Sequence, residues 1–292
     1  MGARLIDHRY GKSAVRLVAV ARGGDRHELA DLTVDVRFTG DYEAAHRDGD
    51  NARVYPTDSM KNSVYLVARR EGVGEIETFA QALARHFLAR RPAPAGVEVT
   101  IGARPWNRIE IGGRPHPHAF VAGASERRTA RVEADAAGER VAAGVEELVL
   151  LKTTGSGFAG FPRDETTTLA ETDERILATA VEADWRYSAG AADAASWGTL
   201  WRSVRRALVE TFAEQDSRSV QHTLHALGER VLDDVAEVEQ IRLRLPNRHH
   251  LRIDLEPFGL DNPNLVFVAT AEPYGVIEAT LGRDRAGPPE PR

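Results

Sequence analysis

The sequence predicts an α+β fold made of two similar units in tandem, each with an antiparallel sheet and a pair of helices. Strand-like segments come in adjacent pairs and so do helical segments, and this order recurs after about position 150. Strands alternating singly with helices would instead indicate a parallel βαβ sheet. The predicted units are residues 1–145 and 146–283, and the Pro-rich, charged tail 284–292 is expected to be disordered.

The first unit begins with a predicted β-hairpin, in which "AVRLVAV" and "LTVDVRF" flank the turn-prone "RGGDRH". A helix is predicted over about residues 59–70 and is followed by a second helix. "RRPAPAG" ends that second helix, and strands return at "VEVTIGARPW" and on both sides of the turn "DAAGE". The apolar stripe of the second helix comprises Ile76, Phe79, Ala80, Leu83 and Phe87.

The second unit repeats this order. "VEADWRY" is strand-like, and a helix over about residues 197–212 is followed by another whose apolar face begins at Val220. The segments "IRLRLPNRHHLRIDL", "NLVFVAT" and "GVIEATL" are predicted to close the unit as strands.

Composition excludes several kinds of site and partner. The 292 residues include no cysteine, so disulfides, thiolate metal ligands, iron–sulfur clusters and a Cys nucleophile are excluded. The net charge is −6, with acidic and basic residues interspersed, which argues against nucleic acid as a partner. No segment has the ~20 consecutive apolar residues of a membrane span, and no signal peptide is recognisable. We therefore expect a soluble, cytoplasmic protein.

Gly155, Gly157 and Gly160 match G-x-G-x-x-G, the pattern of a dinucleotide-binding loop. That motif places a pyrophosphate at the start of a helix, whereas Phe161 and a proline follow the last glycine here. We interpret the match as accidental. A glycine-rich loop could instead present Phe158, a lone aromatic among glycines, to a flat ligand.

Ten histidines raise the possibility of a metal site, but none of their clusters has a recognised ligand spacing. His249 is the exception to a surface interpretation, because "LPNRHH" is predicted to place Asn247 and His249 on one face of an extended strand. Lys12, Arg175 and Gln221, taken singly, are each typical of a solvated surface.

The stretch "VYPTDSMKN", residues 54–62, places Thr57 and Asp58 together before a helix. Either side chain alone can accept a hydrogen bond from an unpaired amide of the first turn. One of the two is therefore predicted to cap the helix, and the other is available to a ligand.

Six segments together resemble the cofactor-free urate oxidase (uricase) family, in its order and over almost the whole chain. The resemblance implies a tandem of two tunnelling-fold (T-fold) domains, which close into a barrel-like tunnel in a homotetramer with active sites between subunits. The segments are "YGKSAVR", "VYPTDSMKNSVY", "LLKTTGSGFAGFPRDETTTLAETDERILAT", "SVQHTL", "LPNRHH" and "EPYGVIEAT".

The resemblance also implies a reaction, in which urate, O2 and water give 5-hydroxyisourate and hydrogen peroxide without a cofactor or metal. Its implied catalytic residues are Lys12, Thr57 and His249. Its implied substrate-binding residues are Thr57, Asp58, Phe158, Arg175, Val220, Gln221 and Asn247.

These residue types suit a planar anion that is rich in carbonyl and N–H groups. Two positions depart from the family pattern: Arg248 stands where lysine is usual, and Thr166 where tyrosine is usual. Alternatives are another purine or pterin enzyme of the same fold, with zinc bound by histidine, and a non-catalytic ring protein that binds a purine. A nicotinamide oxidoreductase is the weakest alternative.

Overall fold

A computed structural model describes residues 3–270 and 272–283. The chain divides into two units, Met1–Gly144 and Val145–Arg292. Both contain antiparallel strands and neighbouring helices, which confirms the predicted α+β class. The tail 284–292, predicted to be disordered, lies outside the described residues.

The first unit contains a sheet with the strand order β1-β2-β3-β6, with β7 beside β6, and a separate two-stranded sheet of β4 and β5. The hairpin and the two longer helices were predicted, whereas α1, β4 and β5 were not. The elements are β1 (Tyr10–Ala21), β2 (Glu28–Thr39), α1 (Glu43–Asp48), α2 (Thr57–Glu71), α3 (Ile76–Leu88), β3 (Gly96–Ala103), β4 (Trp106–Ile111), β5 (Arg114–Ala122), β6 (Arg127–Asp135) and β7 (Gly138–Lys152), which continues into the second unit.

The core of this unit lies between helix α3 and the sheet. The apolar stripe predicted for α3 is buried, and Phe79, Leu83 and Phe87 are each at most 1% exposed. On β2, alternate residues face the same core because strand side chains point to opposite faces in turn. These residues are Leu32, Val34, Val36 and Phe38.

Strand β1 lies unusually close to β2 at Gly11. A Cβ atom at Gly11 would lie 1.8 Å from the carbonyl oxygen of Val36, so only glycine fits there. Lys12 pairs with Val36, and the register then shifts between Lys12 and Val15. The bulge places Ala14 at a positive φ of 57°. The backbone at Lys12 is thus held by a close contact on one side and a bulge on the other.

Helix α2 begins differently from the prediction. Its N-cap is Pro56, which has no side-chain hydrogen-bonding group, and Thr57 is already the first helical residue. Asp58 bonds instead to the Lys61 ammonium at 2.5 Å and to the Asn62 amide at 3.0 Å. The prediction that Thr57 or Asp58 caps the helix was therefore wrong. A proline is suited to this boundary because its backbone is restricted to an extended conformation here.

The second unit contains the end of β7 followed by β8, β9 and β12 in its main sheet, and a two-stranded sheet of β10 and β11. Helices α5 and α6 bury the apolar faces that the sequence predicted, including Leu208, Phe212, Leu224 and Val231. The elements are β8 (Leu177–Tyr187), α4 (Ala191–Ala194), α5 (Trp197–Glu214), α6 (Val220–Asp234), β9 (Val238–Pro246), β10 (His250–Arg252), β11 (Phe267–Ala269) and β12 (Val276–Gly282).

Within residues 3–270 and 272–283, none of the helices combines the length and apolar character that crossing a bilayer would need.

Candidate functional site

The candidate residues of the first unit lie on β1 and at the start of α2. Lys12 and Thr57 are half-buried, and Asp58 is exposed. The hydrogen bond from Lys61 is the main reason that the pKa of Asp58 is lowered, and the positive charge of Lys12 lowers it further. Lys12 is therefore within electrostatic reach of the start of α2. The fold thus brings β1, which carries Lys12, close to α2, which begins at Thr57.

In the second unit, a loop joins β7 to β8 and is anchored to the segment before α6. Ser156 pairs with Ser217 as an isolated bridge. The Gly157 N–H donates to the Ser217 carbonyl at 2.8 Å, and the Ser217 N–H donates to the Gly155 carbonyl at 2.9 Å. A Cβ atom at Gly157 would lie 3.0 Å from the Thr172 carbonyl, which explains the glycine. The loop is thus a fixed structure beside α6.

Phe158 is held in this loop by two backbone hydrogen bonds with Thr172, at 2.7 and 3.1 Å. The expectation that it is a lone aromatic was wrong, because the ring of Phe161 stacks on it at 4.9 Å with an interplanar angle of 16°. As predicted, the glycine motif does not form a dinucleotide-binding loop. The residues that follow Gly160 form a loop and turns up to β8 instead of a helix.

Arg175 lies over Phe158, with its guanidinium carbon 5.3 Å from the ring centroid. The backbone N–H of Arg175 donates to the Ser156 carbonyl at 2.8 Å, and the side-chain Nε of Arg175 lies 3.4 Å from the Ser156 Oγ. Burial lowers the pKa of the guanidinium, and no carboxylate of residues 3–270 and 272–283 forms an ion pair with it. A half-buried arginine without an anionic partner favours a ligand that supplies the negative charge.

Helix α6 directs its N-terminus into the same region. Its N-cap is Ser219, whose Oγ accepts from the His222 N–H at 3.1 Å. Val220 and Gln221 are the first two helical residues, and their N–H groups precede the intrahelical hydrogen bonds. Val220 is buried and Gln221 is exposed. Amides at a helix start suit an acceptor atom of a ligand.

Asn247 and His249 do not lie on one extended strand, so that prediction was wrong. Strand β9 ends at Pro246 and β10 begins at His250. Asn247 pairs with Thr179 as an isolated bridge, and its N–H donates to the Gly275 carbonyl at 2.8 Å. Asn247 keeps the register of β9 with β8, whereas the His249 carbonyl accepts from the Thr270 N–H at 2.9 Å, so the chain changes its pairing partner between the two residues. The bridge to Thr179 nevertheless places Asn247 near the start of β8, and this strand begins two residues after Arg175.

Sequence reasoning missed the small polar residues that join the loop to α6. Ser156, Ser217 and Thr223 are each at most 1% exposed. The Thr223 hydroxyl donates to the Ser217 Oγ at 2.7 Å, and the Ser217 hydroxyl donates to the Ser219 carbonyl at 3.1 Å. The serine before "VQHTL" is an N-cap signal that could have located the start of α6. The burial of Ser156, Ser217 and Thr223 could not be inferred from spacing.

Residues 3–270 and 272–283 contain no group of three or more His, Asp or Glu side chains arranged to hold a metal ion.

Comparisons with known proteins show the family of this chain. The Uricase family model matches residues 8–133 and 141–278. The chain is 45% identical to a uricase from Arthrobacter globiformis over 95% of this chain and 89% of that protein. It is 35% identical to a uricase from Dictyostelium discoideum over 97% of this chain and 99% of that protein. The crystal structure of uricase from Arthrobacter globiformis matches with a TM-score of 0.92 and 43% identity, covering 100% of this chain and 99% of that one. The chain therefore belongs to the uricase family and is an oxidoreductase, a urate oxidase.

Proposed function

We propose that the second unit supplies most of the groups that hold the urate ring, and that Lys12 and Thr57 of the first unit transfer protons together with His249 of the second unit. Phe158 stacks on the flat ring, and Arg175 and Gln221 hold its polar edges. The Val220 backbone amide adds a hydrogen bond, and Asn247 lies where oxygen approaches the ring. Each assignment follows the resemblance of the surrounding segments to the family.

The observation that carries this proposal is the environment of Arg175. Its guanidinium contacts Ser156 and lies over Phe158, and burial lowers its pKa without a compensating carboxylate among residues 3–270 and 272–283. A planar guanidinium donates two parallel hydrogen bonds, which matches the adjacent acceptors of a urate anion. The same ligand can contact the Phe158 ring because the two side chains are neighbours.

The proposed chemistry begins with proton transfer, by residues of both units. Thr57 and Asp58 contact the substrate, and Lys12 withdraws a proton through the Thr57 hydroxyl. His249 completes the relay because an imidazole exchanges protons near neutral pH. The electron-rich urate then transfers two electrons to O2, which becomes hydrogen peroxide, and water adds to the oxidised ring to give 5-hydroxyisourate. No cofactor or metal takes part in this proposal.

The proposed assembly is a homotetramer of chains that each contain two T-fold domains, residues 1–145 and 146–283. Antiparallel sheets from several chains close into a barrel-like tunnel, and each active site combines the first unit of one chain with the second unit of another. The exposed Gln221 and Asp58 are then available to a neighbouring chain. A cytoplasmic location is also proposed, and cell fractionation tests it.

Replacing Arg175 with alanine should raise the KM for urate at least tenfold while the fold is retained. A hydrogen bond to a charged group typically contributes about 1.5–3 kcal/mol, and within the described part of the chain this arginine forms no ion pair that the fold would lose. The measurement is urate absorbance against substrate concentration, together with the Tm. The matched control is Arg163→Ala, because Arg163 also lies over a phenylalanine ring of this loop, at 5.5 Å from Phe161. Equal KM values for the two variants would contradict the assignment.

Exhaustive chelation should leave the activity unchanged, because the proposed relay uses only side chains and water. Urate loss and oxygen uptake are followed together in chelated buffer, with metal content measured on the same sample. Loss of activity on chelation and its return with zinc or copper would refute the cofactor-free mechanism.

A further inference from the structure

Tyr10 is the first residue of β1 and is enclosed by aromatic rings. Its ring meets Phe38 edge to face at 5.9 Å and Tyr42 edge to face at 4.8 Å. Phe38 and Tyr42 are both buried. Next in sequence is Gly11, where β1 and β2 are in close contact. The Tyr10 ring therefore has a fixed position relative to the strand.

The Tyr10 hydroxyl connects this strand to the segment before α2. Its oxygen accepts the backbone N–H of Tyr55 at 2.8 Å. Burial is the main reason that the pKa of Tyr10 is raised, so the phenol stays neutral at physiological pH. Tyr55 is itself held against Phe38 and Phe87, at 6.3 and 6.4 Å between ring centroids.

Both ends of this connection lie beside candidate catalytic residues. Tyr10 precedes Lys12 by two residues, and Tyr55 precedes Thr57 by two residues. The hydrogen bond between Tyr10 and Tyr55 thus joins the backbone that carries the lysine to the backbone that carries the threonine.

We propose that Tyr10 is a positioning residue that sets the separation of Lys12 from Thr57 in the proton relay. This role rests on the proposed function. Tyr10 does not contact substrate in this proposal and acts only through the two backbones that it joins. Proton transfer depends steeply on the distance between the groups, so a small displacement of Lys12 slows catalysis without weakening urate binding.

The chain offers a matched control for this connection. The Tyr65 hydroxyl, on α2, donates to the Arg16 carbonyl, on β1, at 3.2 Å. This bond also links strand and helix through a tyrosine hydroxyl, but it lies beyond the bulge and farther along α2. Removing the Tyr65 hydroxyl breaks one hydrogen bond between β1 and α2, and the hydrogen bond between Tyr10 and Tyr55 stays intact.

Tyr10→Phe keeps the ring and removes the hydroxyl, and we expect kcat to fall about three- to tenfold. The Kd of urate in oxygen-free buffer should stay within about twofold of the wild-type value, because the groups that hold the ring are unchanged. Tyr65→Phe should leave kcat unchanged. All variants are assayed well below their Tm, so that a loss of stability is not mistaken for a loss of rate.

A double-mutant cycle with Lys12→Met tests whether Tyr10 acts through the lysine. The effect of Tyr10→Phe should disappear in the Lys12→Met background. A wild-type kcat for Lys12→Met alone would overturn the proposed function, and this inference with it. If Lys12→Met is impaired, a wild-type kcat for Tyr10→Phe, an equal loss for Tyr65→Phe, or a full Tyr10→Phe effect in the Lys12→Met background overturns the positioning role alone.

Discussion

Assayed at urate well below the KM, hybrid oligomers of Thr57→Ala and Arg175→Ala chains should oxidise urate at about one quarter of the wild-type rate, although Thr57→Ala alone is nearly inactive and Arg175→Ala alone has at most about one tenth of that rate. The proposed site takes Thr57 from one chain and Arg175 from another. In a pair made of one chain of each kind, one site loses both residues and the other site is intact. Random mixing of equal amounts makes about half of the pairs mixed, which leaves about one quarter of all sites undamaged.

The control is a mixture of Arg175→Ala with Gln221→Ala chains. Both substitutions lie in the second unit, so every mixed site still carries one of them and activity should stay low. The chains are unfolded together, refolded and assayed for urate loss, with mass measurements showing that mixed oligomers have formed. If mixed oligomers of the first pair were no more active than those of the control pair, both residues would belong to one chain's pocket.

Replacing Gly11 with alanine should lower kcat at least 100-fold and reduce the stability of the first unit. The added Cβ would lie 1.8 Å from the Val36 oxygen, so β1 and β2 must move apart. Overpacking of this kind typically costs about 1–3 kcal/mol, and more where backbone must shift. Lys12 pairs with Val36 and would move with the strand, which disrupts the proposed proton transfer.

Gly102→Ala is the matched control for Gly11→Ala. Gly102 lies on β3 and pairs with Thr33 of β2, in the same sheet, but a Cβ atom there would meet nothing within 4 Å. Its kcat and Tm should remain close to those of the wild type. The comparison uses Tm, far-UV circular dichroism and steady-state rates. A Gly11→Ala variant with the properties of Gly102→Ala would show that the close contact is not required.

Regular elements followed from local patterns in the sequence. The hairpin of β1 and β2 and the helices α2, α3, α5 and α6 were predicted because alternation and helical spacing leave an unambiguous apolar face. Strands β4 and β5 were missed. Most of their residues are exposed or half-buried, so no clear apolar face marks them.

Capping and strand continuity could not be decided locally. Thr57 and Asp58 have the chemistry of N-caps, yet the extended backbone at Pro56 starts α2 one residue earlier than a cap at Thr57 would require. Asn247 pairs with Thr179 and so keeps the register of β9 with β8. The His249 carbonyl instead accepts from the Thr270 N–H, in register with the β10–β11 pairs. Both outcomes depend on where the flanking backbone finds its hydrogen-bond partners.

By itself the sequence determined the α+β class, the tandem order of elements and, through the resemblance of its motifs, the candidate residues. Only the tertiary structure decided the environment of Arg175. In the sequence this residue is typical of a solvated surface, and its half-burial depends on Ser156 and Phe158, which lie far from it in the chain. Tertiary contacts also brought Lys12 within electrostatic reach of Asp58. Burial and charge compensation arise from contacts between distant segments, and such contacts leave no periodic signal in the sequence.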